Sequence, residues 1–354
     1  MKMKKILLLL LGCTFFGVGF VTVLFLLSEE KMQRNNAFQR RYVPEAALEI
    51  GHLTLDYNAY YIAGMDGASI YLGNVSAPLY LTKVDTILSG SEEVKLEISH
   101  LDLAYQRVKT VVTSSNFYLG DGTVPVIFKG SIQELKSRVL SFEDAYFNQF
   151  VVADSTAVGV VTLSSTTGAI ALGIINVYEG ENSFELNTSL LQKQQDGVFD
   201  IDGILLWNDT HQVFIYTYFY RNQFEVADIK LQQLSSGRTI DTISRAILDI
   251  AHHSSKDQYK LGGRSVFVNR QSATYGDYLY IHSDRLGSYE KASILDNASI
   301  IDVYDFTDQT YVFSFYIFHQ SGKRLSDFKV FGNLLVVLVD DVLWLYRLNP
   351  SYFE

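Results

Sequence analysis

Six aspartates that follow short apolar segments are the first residues in this sequence that could do chemistry. They are Asp66, Asp121, Asp154, Asp209, Asp284 and Asp340. If they occupied equivalent positions around one opening, their carboxylates could bind Ca²⁺ or a cationic ligand. Aspartate at a turn also accepts hydrogen bonds from nearby backbone amides, which gives each residue a purely structural alternative role. We treat the six as candidate ligand-binding residues, with Ca²⁺ as a weak expectation and no other metal or cofactor implied.

No catalytic motif accompanies these carboxylates. The sequence contains no His-Glu-x-x-His, no Gly-x-Ser-x-Gly, no phosphate-binding loop and no dinucleotide fingerprint. His252 and His253 are the only adjacent histidines, and adjacent side chains on a helix point apart, so a shared metal site is not expected. The one cysteine, Cys13, lies in the apolar N-terminal segment. Catalytic residues therefore stay unassigned, and the sequence leans away from an enzyme.

The N-terminal segment 6–27 is an uninterrupted apolar run of 22 residues without a charge. As a helix it would be about 33 Å long, which matches the hydrocarbon core of a bilayer. Three lysines precede it, and Glu29 and Glu30 follow it. The positive-inside rule then places the N-terminus in the cytoplasm and the remainder of the chain across the membrane, in the periplasm if the source is bacterial.

Two alternatives to an uncleaved signal anchor remain open. A cleaved signal peptide would make the protein secreted, although the run is long and no Ala-x-Ala pattern follows it. The segment Leu10–Cys13 resembles a lipobox, but modification at Cys13 would leave a second apolar stretch in the mature chain. The favoured organisation is a cytoplasmic tail (1–5), a transmembrane signal anchor (6–27), a polar stalk (28–47) and an extracytoplasmic domain (48–354).

The composition indicates a folded, β-rich and acidic domain. Hydrophobic residues make up 48% of the chain and aromatic residues 14%, with 23 Tyr and 23 Phe, which suits pleated and half-buried surfaces. The formal charge is −10, and no basic cluster occurs after Arg41. Nucleic-acid binding needs a basic surface, so that class of partner is disfavoured.

A recurring unit suggests how the domain is built. Each unit is a short apolar strand, a turn rich in Asp, Asn, Gly or Ser, and in most cases a second apolar strand, a pattern typical of hairpins. The units begin with residues 60–63, 116–119, 150–153, 204–207, 278–281 and 334–337. Their spacing fits blades of four antiparallel strands with loop insertions. The sequence therefore predicts an all-β β-propeller, with six blades favoured over five or seven, and a multi-sheet β-sandwich as the alternative fold.

Two stretches of the chain resemble known propellers. The pattern from Gly322 to Leu325, then Asp327 to Val330, then Leu334 to Leu348 resembles the last blade of bacterial propeller domains. The stretch from Phe150 to Ile174 is similar to a blade of NHL-like and YVTN-like propellers. This resemblance covers about half of the chain and implies a superfamily of bacterial extracytoplasmic propellers without naming a family.

Two interruptions of the β pattern are also predicted. Residues 242–251 place apolar side chains on one face of a helix, and 133–147 could hold a short helix or loop.

These observations favour a membrane-anchored binding or scaffold module for a protein, peptide or glycan. A hydrolase or lyase with acidic residues in the propeller channel is the first alternative. An accessory subunit of a membrane complex is the second.

Overall fold

The N-terminal helix is longer than the apolar segment inside it. The computed structural model describes residues 2–33, 35–99, 102–179, 181–253 and 258–353. Helix α1 spans Lys2–Gln33, and its part Lys4–Leu24 is long and apolar enough to cross a membrane. A helix of this composition near the N-terminus fits a membrane anchor or a signal sequence.

The remaining described residues are almost entirely β-strand. The first two groups are β2 (Tyr60–Asp66), β3 (Ser69–Asn74), β4 (Tyr80–Asp85), β5 (Ser91–Lys95), and β6 (Lys109–Thr113), β7 (Asn116–Asp121), β8 (Val126–Ser131), β9 (Ser137–Phe142). The next two are β10 (Gln149–Val152), β11 (Ala157–Leu163), β12 (Ile170–Asn176), β13 (Ser183–Asn187), and β14 (Gly203–Asn208), β15 (Val213–Tyr218), β16 (Gln223–Ala227), β17 (Gln233–Arg238). After a hairpin of β18 (Ile250–His253) and β19 (Gln258–Leu261) come β20 (Gln271–Tyr275), β21 (Tyr278–Ser283), β22 (Ala298–Asp305) and β23 (Thr310–Phe318). The last group is β24 (Leu325–Phe331), β25 (Leu334–Val339) and β26 (Val342–Leu348), joined by β1 (Ala47–Thr54) from the N-terminal side; short 3₁₀ helices span Ala292–Asp296 and Pro350–Tyr352.

These strands form six antiparallel four-stranded groups within the described ranges, arranged in a ring. The first strand of each group is its inner strand, and β2, β6, β10, β14, β20 and β24 contact one another in that order, with β24 returning to β2. The inner strands β2 and β6 even pair in parallel, at Gly64 with Val112 and Met65 with Thr113. A ring of radially arranged meanders is a β-propeller, so the predicted fold is confirmed and the sandwich alternative is not adopted.

The ring closes through a strand from the other end of the chain. Strand β1 pairs antiparallel with β26, from Ala47 opposite Leu348 to Thr54 opposite Val342. The two ends of the ring are therefore held in one sheet. Apolar side chains fill the spaces between neighbouring sheets; one such cluster joins Ile62 and Leu72 of the first group to Leu345 of the last. Each fully buried side chain of this kind contributes roughly 1.5–3 kcal/mol.

The ring has two distinct faces, which we name from the direction of the inner strands. The upper face is where inner strands begin and second strands end. The lower face carries the turns from inner to second strands. Because each group repeats the same antiparallel meander, this assignment holds around the ring.

The predicted helix at 242–251 is wrong. Residues 242–249 are irregular, and Ile250 begins strand β18. Tertiary hydrogen bonds use the backbone groups that a helix would need: Gln194 Nε2 donates to Ser244 O, and Gln195 Nε2 donates to Ala246 O. The helix considered at 133–147 is absent as well, because its centre forms strand β9.

The segment 35–46, which we call the strap, packs on the propeller. It belongs to the predicted polar stalk, yet Phe38 and Ala46 are buried in it. The backbone N–H of Asn35 donates to Leu286 O at 2.7 Å, and Val43 N–H donates to Ser314 O at 3.0 Å. The strap therefore holds the chain against the fifth four-stranded group before β1 begins, instead of extending away from the domain as a stalk would.

Candidate functional site

The central channel is a wide cavity lined by the inner strands. Its volume is about 1450 Å³, and residues of all six inner strands line it. Side chains on these strands link one group to the next by hydrogen bonds. These links are Tyr61 Oη to Thr110 N (2.7 Å), Gln149 Nε2 to Gly203 O (2.6 Å), Asn208 Nδ2 to Thr274 Oγ1 (2.7 Å) and Asp327 Oδ2 to Ile62 N (2.9 Å). The wall is therefore polar and tied together, as a pre-formed binding site requires.

Asp327 and Lys329 lie two residues apart on β24 and point into the channel with Lys109 of β6. Burial raises the pKa of the Asp327 carboxyl, although the charges of Lys329 and Lys109 act in the opposite direction. Burial also lowers the pKa of the Lys329 ammonium; the charge of Asp327 opposes this, and the positive charge of Lys109 adds to it. Ammonium Nζ of Lys109 lies 5.2 Å from the centre of the Tyr61 ring.

A second charged cluster lies at the upper mouth of the channel. Arg270 Nε contacts Asp284 Oδ2 at 2.6 Å, and His282 Nε2 lies 3.3 Å from Asp284 Oδ1. Burial would raise the pKa of the Asp284 carboxyl, but the partners His282 and Arg270 lower it to about 2. The guanidinium of Arg270 also stacks over the Phe267 ring at 4.3 Å. Asp284 is therefore neutralised by its own neighbours.

The six candidate aspartates do not occupy equivalent positions. Asp66, Asp154 and Asp209 follow inner strands and lie toward the lower face. Asp121, Asp284 and Asp340 end or follow second strands and lie toward the upper face. Of the six, only Asp209 and Asp284 line the channel in the described structure. The expectation of one ring of equivalent carboxylates is wrong, because the apolar segments that precede them are inner strands in three groups and second strands in the other three.

Three of the four candidates outside the channel wall make hydrogen bonds or an ion pair with other parts of the domain or with their own turn. Asp121 is fully buried and accepts hydrogen bonds from Gln106 N, Arg107 N and Thr123 N. Its pKa is lowered by those bonds, although burial opposes them. Asp154 accepts from Thr156 N at 2.6 Å, and Asp340 pairs with Lys323 at 3.4 Å. No hydrogen bond of the Asp66 side chain is found among the described residues.

The channel wall carries more basic than acidic side chains. Six basic residues line it (Arg107, Lys109, Arg270, Lys323, Arg324 and Lys329) against four acidic ones (Asp209, Asp284, Asp296 and Asp327). Lys323 forms ion pairs with Asp340 and Asp341 beside the mouth, and Arg270 forms an ion pair with Asp284, so these charges are neutralised. Four basic side chains and three acidic ones then remain, in a chain whose formal charge is −10. The channel is therefore less acidic than the surrounding protein and does not suit a cation.

Metal ligation finds no support in the described part of the chain. No group of three or more His, Cys, Asp or Glu side chains there lies close enough to hold an ion. The backbone of His252 and His253 belongs to β18. Their side chains fall outside the described residues.

An aromatic groove of about 930 Å³ lies on the outside of the ring, between the fifth and last groups and next to the strap. One wall stacks Tyr42 on Tyr316 at 4.3 Å between ring centres, with Phe318 5.7 Å further along. On the other wall, the rings of His52 and Trp344 lie 4.4 Å apart between centres and are tilted by 34°. Phe318 is 62% exposed. Aromatic surfaces of this kind are typical of interfaces for extended ligands.

Comparison with known proteins gives the fold and no family. No protein-family model matches the chain, and no curated protein matches it. A crystal structure of a DUF4221 family member from Bacteroides vulgatus is 10% identical, with a TM-score of 0.52 over 88% of this chain and 98% of that one. The β-propeller domain of Cps50 (Swd1) from Myceliophteria thermophila is 7% identical, with a TM-score of 0.49 over 84% and 100% of the two chains. BamB from Moraxella catarrhalis is 13% identical, with a TM-score of 0.41 over 88% and 94%.

This chain is a β-propeller protein. The decisive observation is the ring of inner strands. The structural match to the DUF4221 family member, which covers 98% of that chain, agrees with it. At these identities, the likeness concerns the fold alone.

Sequence reasoning missed the channel lysines, the aromatic groove and the strap. Lys109 and Lys329 lie in short amphipathic strands, KTVVT and LSDFKVF. A pair of opposite charges two residues apart in a strand, as in Asp327 and Lys329, points both side chains to one side and could have marked the channel wall.

Proposed function

We propose that this protein is a membrane-tethered binding module that captures an extended segment of a partner protein in the aromatic groove. The observation that carries the proposal is the pair of facing aromatic walls, Tyr42–Tyr316–Phe318 and His52–Trp344, in an exposed groove. Exposed aromatic clusters provide much of the binding energy at protein interfaces.

The chemistry of the groove favours a basic, extended peptide over other occupants. Glu45 and Glu49 are exposed along its edge. Lys323, also in the groove, is already paired with Asp340 and Asp341. The excess charge is therefore negative and complements an Arg or Lys side chain.

The groove also offers a directional hydrogen bond. Among the described residues, no acceptor is found for the indole N–H of half-buried Trp344. Aromatic slots with a free Trp N–H suit proline-containing segments, whose preformed extended conformation loses little entropy on binding. We therefore commit to a proline-containing basic segment as the occupant.

The tether rests on α1 and the strap. The strap joins the apolar helix to the domain without a long linker, and Asn35 contacts Leu286 and Asp241 at the upper face. The upper face would then lie toward the bilayer. The lysines before the helix and Glu29 and Glu30 after it support an extracytoplasmic propeller.

A peptide array tests the groove. Full-length protein in detergent is screened against proline-containing basic peptides, and Kd is measured for the best binder. Trp344→Leu should weaken binding by about 10- to 50-fold, as expected for a central aromatic residue. Leu163→Ala, a change at an exposed apolar residue on another group, is the control and should leave Kd unchanged.

The outcomes separate the candidate partners. Binding of acidic or glycan probes that responds to Trp344→Leu, with no response to basic peptides, would overturn the choice of a basic peptide. Loss of binding in both variants would place the contact elsewhere on the domain.

A further inference from the structure

Two lysines in the central channel face one nearby carboxylate, that of Asp327. Among the described residues, neither Lys109 Nζ nor Lys329 Nζ makes a hydrogen bond or an ion pair with a carboxylate. Lys109 lies on β6 and Lys329 on β24, the two inner strands on either side of β2. The two ammonium groups therefore approach the channel from both sides of β2.

Asp327 is the carboxylate nearest in sequence, and its position is fixed. Its Oδ2 accepts from the backbone N–H of Ile62 at 2.9 Å, and its Oδ1 lies 3.4 Å from Gln271 Nε2. One carboxylate committed to the backbone of β2 cannot neutralise two ammonium groups. The inner cluster keeps a formal charge of +1.

The upper mouth adds to this positive charge. Arg107 and Arg324 line the channel just before β6 and β24, and no ion pair of either guanidinium is found in the described chain. Asp296 at the same mouth offsets one of them. Positive groups along a narrow, partly desolvated passage concentrate the field on an incoming anion.

We infer that the channel binds a phosphate-bearing ligand, with its negative charge between Lys109 and Lys329 and with Arg107 and Arg324 at the entrance. A multivalent oxyanion fits better than a single carboxylate because these four basic side chains outnumber the two carboxylates beside them, Asp327 and Asp296. Lysine acts as a point charge without the planar fork of arginine, so the inner site recognises charge more than shape. Burial lowers the pKa of Lys329 and the charge of Lys109 lowers it further, so an anion bound beside both lysines would favour their charged forms.

Two sources could supply this phosphate. A soluble phosphorylated compound could enter from either opening. A lipid headgroup could enter from the upper face, where the strap attaches the chain to the apolar helix. The chemistry at the lysines is the same in both cases.

Isothermal titration with tripolyphosphate tests the site in the full chain, held in phosphatidylcholine nanodiscs. Lys329→Gln and Lys109→Gln should each weaken binding at least 5-fold. Asp327→Asn should strengthen it, because the amide keeps an acceptor for Ile62 N–H but removes the competing charge. Lys230→Gln removes the same charge from an exposed turn outside the channel and should leave Kd unchanged.

A second set of nanodiscs distinguishes the sources. If lipid headgroups occupy the channel, added phosphatidylglycerol should weaken tripolyphosphate binding to the unmodified protein and leave Lys329→Gln unaffected. If the ligand is soluble, phosphatidylglycerol should change nothing. Equal loss in Lys230→Gln and Lys329→Gln would mean diffuse attraction and overturn the site, as would no binding by the unmodified protein. The peptide groove is untouched by these changes, so its test succeeds or fails separately.

Discussion

Arg40 lies in the strap with only 1% of its side chain exposed, between two carboxylates that are also buried. Its Nε and Nη2 bond both oxygens of Asp302, at 2.6 and 3.0 Å, and its Nη1 bonds Glu290 at 2.8 Å. Burial alone would lower the pKa of Arg40, but Asp302 and Glu290 raise it well above its ordinary value. The guanidinium therefore stays charged and fixes the strap to the fifth group.

Replacement of Arg40 should destabilise the propeller strongly. Arg40→Met removes the cation from between Asp302 and Glu290, which typically costs about 3–5 kcal/mol for a buried pair. Arg40→Lys should recover only part of this, because lysine cannot bond both carboxylates in the fork geometry. The free energy of unfolding in urea measures both effects. Arg347→Met, at an exposed position of β26, is the matched control, and a loss below about 1 kcal/mol for Arg40→Met would contradict the assignment.

Asp202 gives a prediction with a defined pH window. Burial raises the pKa of its carboxyl from 3.8 to about 6, while the hydrogen bond from Gly203 N partly opposes this. The folded state therefore holds the proton more tightly than the unfolded state, and stability falls as pH rises from about 4 to 6. Asp202→Asn keeps an acceptor for Gly203 N–H and removes the buried charge.

We expect Asp202→Asn to stabilise the protein by about 1–3 kcal/mol at pH 7.5 and to have little effect at pH 4. Urea unfolding at the two pH values measures the difference. An equal gain at both values would mean that the substitution acts by packing and not by titration.

At the scale of the elements, the sequence located one apolar segment in each of the six four-stranded groups. It did not distinguish inner from second strands. The second strands β7, β21 and β25 are buried on both faces and read as continuous apolar runs. Their inner neighbours β6, β20 and β24 face the channel and carry charged or polar residues, so their runs are interrupted.

This burial difference explains why the predicted ring of aspartates did not form. In these three groups the search for apolar runs selected the buried second strand. In the other three it selected the inner strand β2, β10 or β14, although the second strands β3, β11 and β15 are also mostly buried. The turn that follows then lies at either face. Polar residues that face the channel interrupt the apolar pattern by which a strand is recognised in a sequence. The residues that line the channel are therefore the hardest to find from the sequence.

The strap could not be predicted for a different reason. Its charged residues Arg40 and Arg41 are typical of a solvated linker. Arg40 is buried because it pairs with Asp302 and Glu290, which lie 262 and 250 positions away in the sequence. Local pattern carries no information on such a contact. The helix expected at 242–251 failed in the same way, since Gln194 and Gln195 bind its backbone from another group.

At the scale of the whole molecule, the apolar helix and the propeller make separate contributions. The described side chains of α1 between Lys4 and Leu24 are exposed and pack on nothing in the chain. The strap and β1, by contrast, close the ring. The described contacts of the N-terminal region with the propeller therefore begin at Asn35.

Deletion of residues 2–33 should release the propeller from membranes without changing its unfolding midpoint, because the side chains described in this segment, between Lys4 and Leu24, are exposed. Deletion of 2–46 should lower stability by several kcal/mol, since it removes Arg40 and buried Phe38 as well. Membrane fractionation and urea unfolding of the two deletions measure these effects.

In the full chain, exposed Thr166→Cys should react with an impermeant maleimide in intact cells if the propeller lies outside the cytoplasm. If the protein without residues 2–33 stays membrane-bound, the domain itself binds the bilayer. If Thr166→Cys reacts with the maleimide only after the cells are lysed, the propeller lies in the cytoplasm.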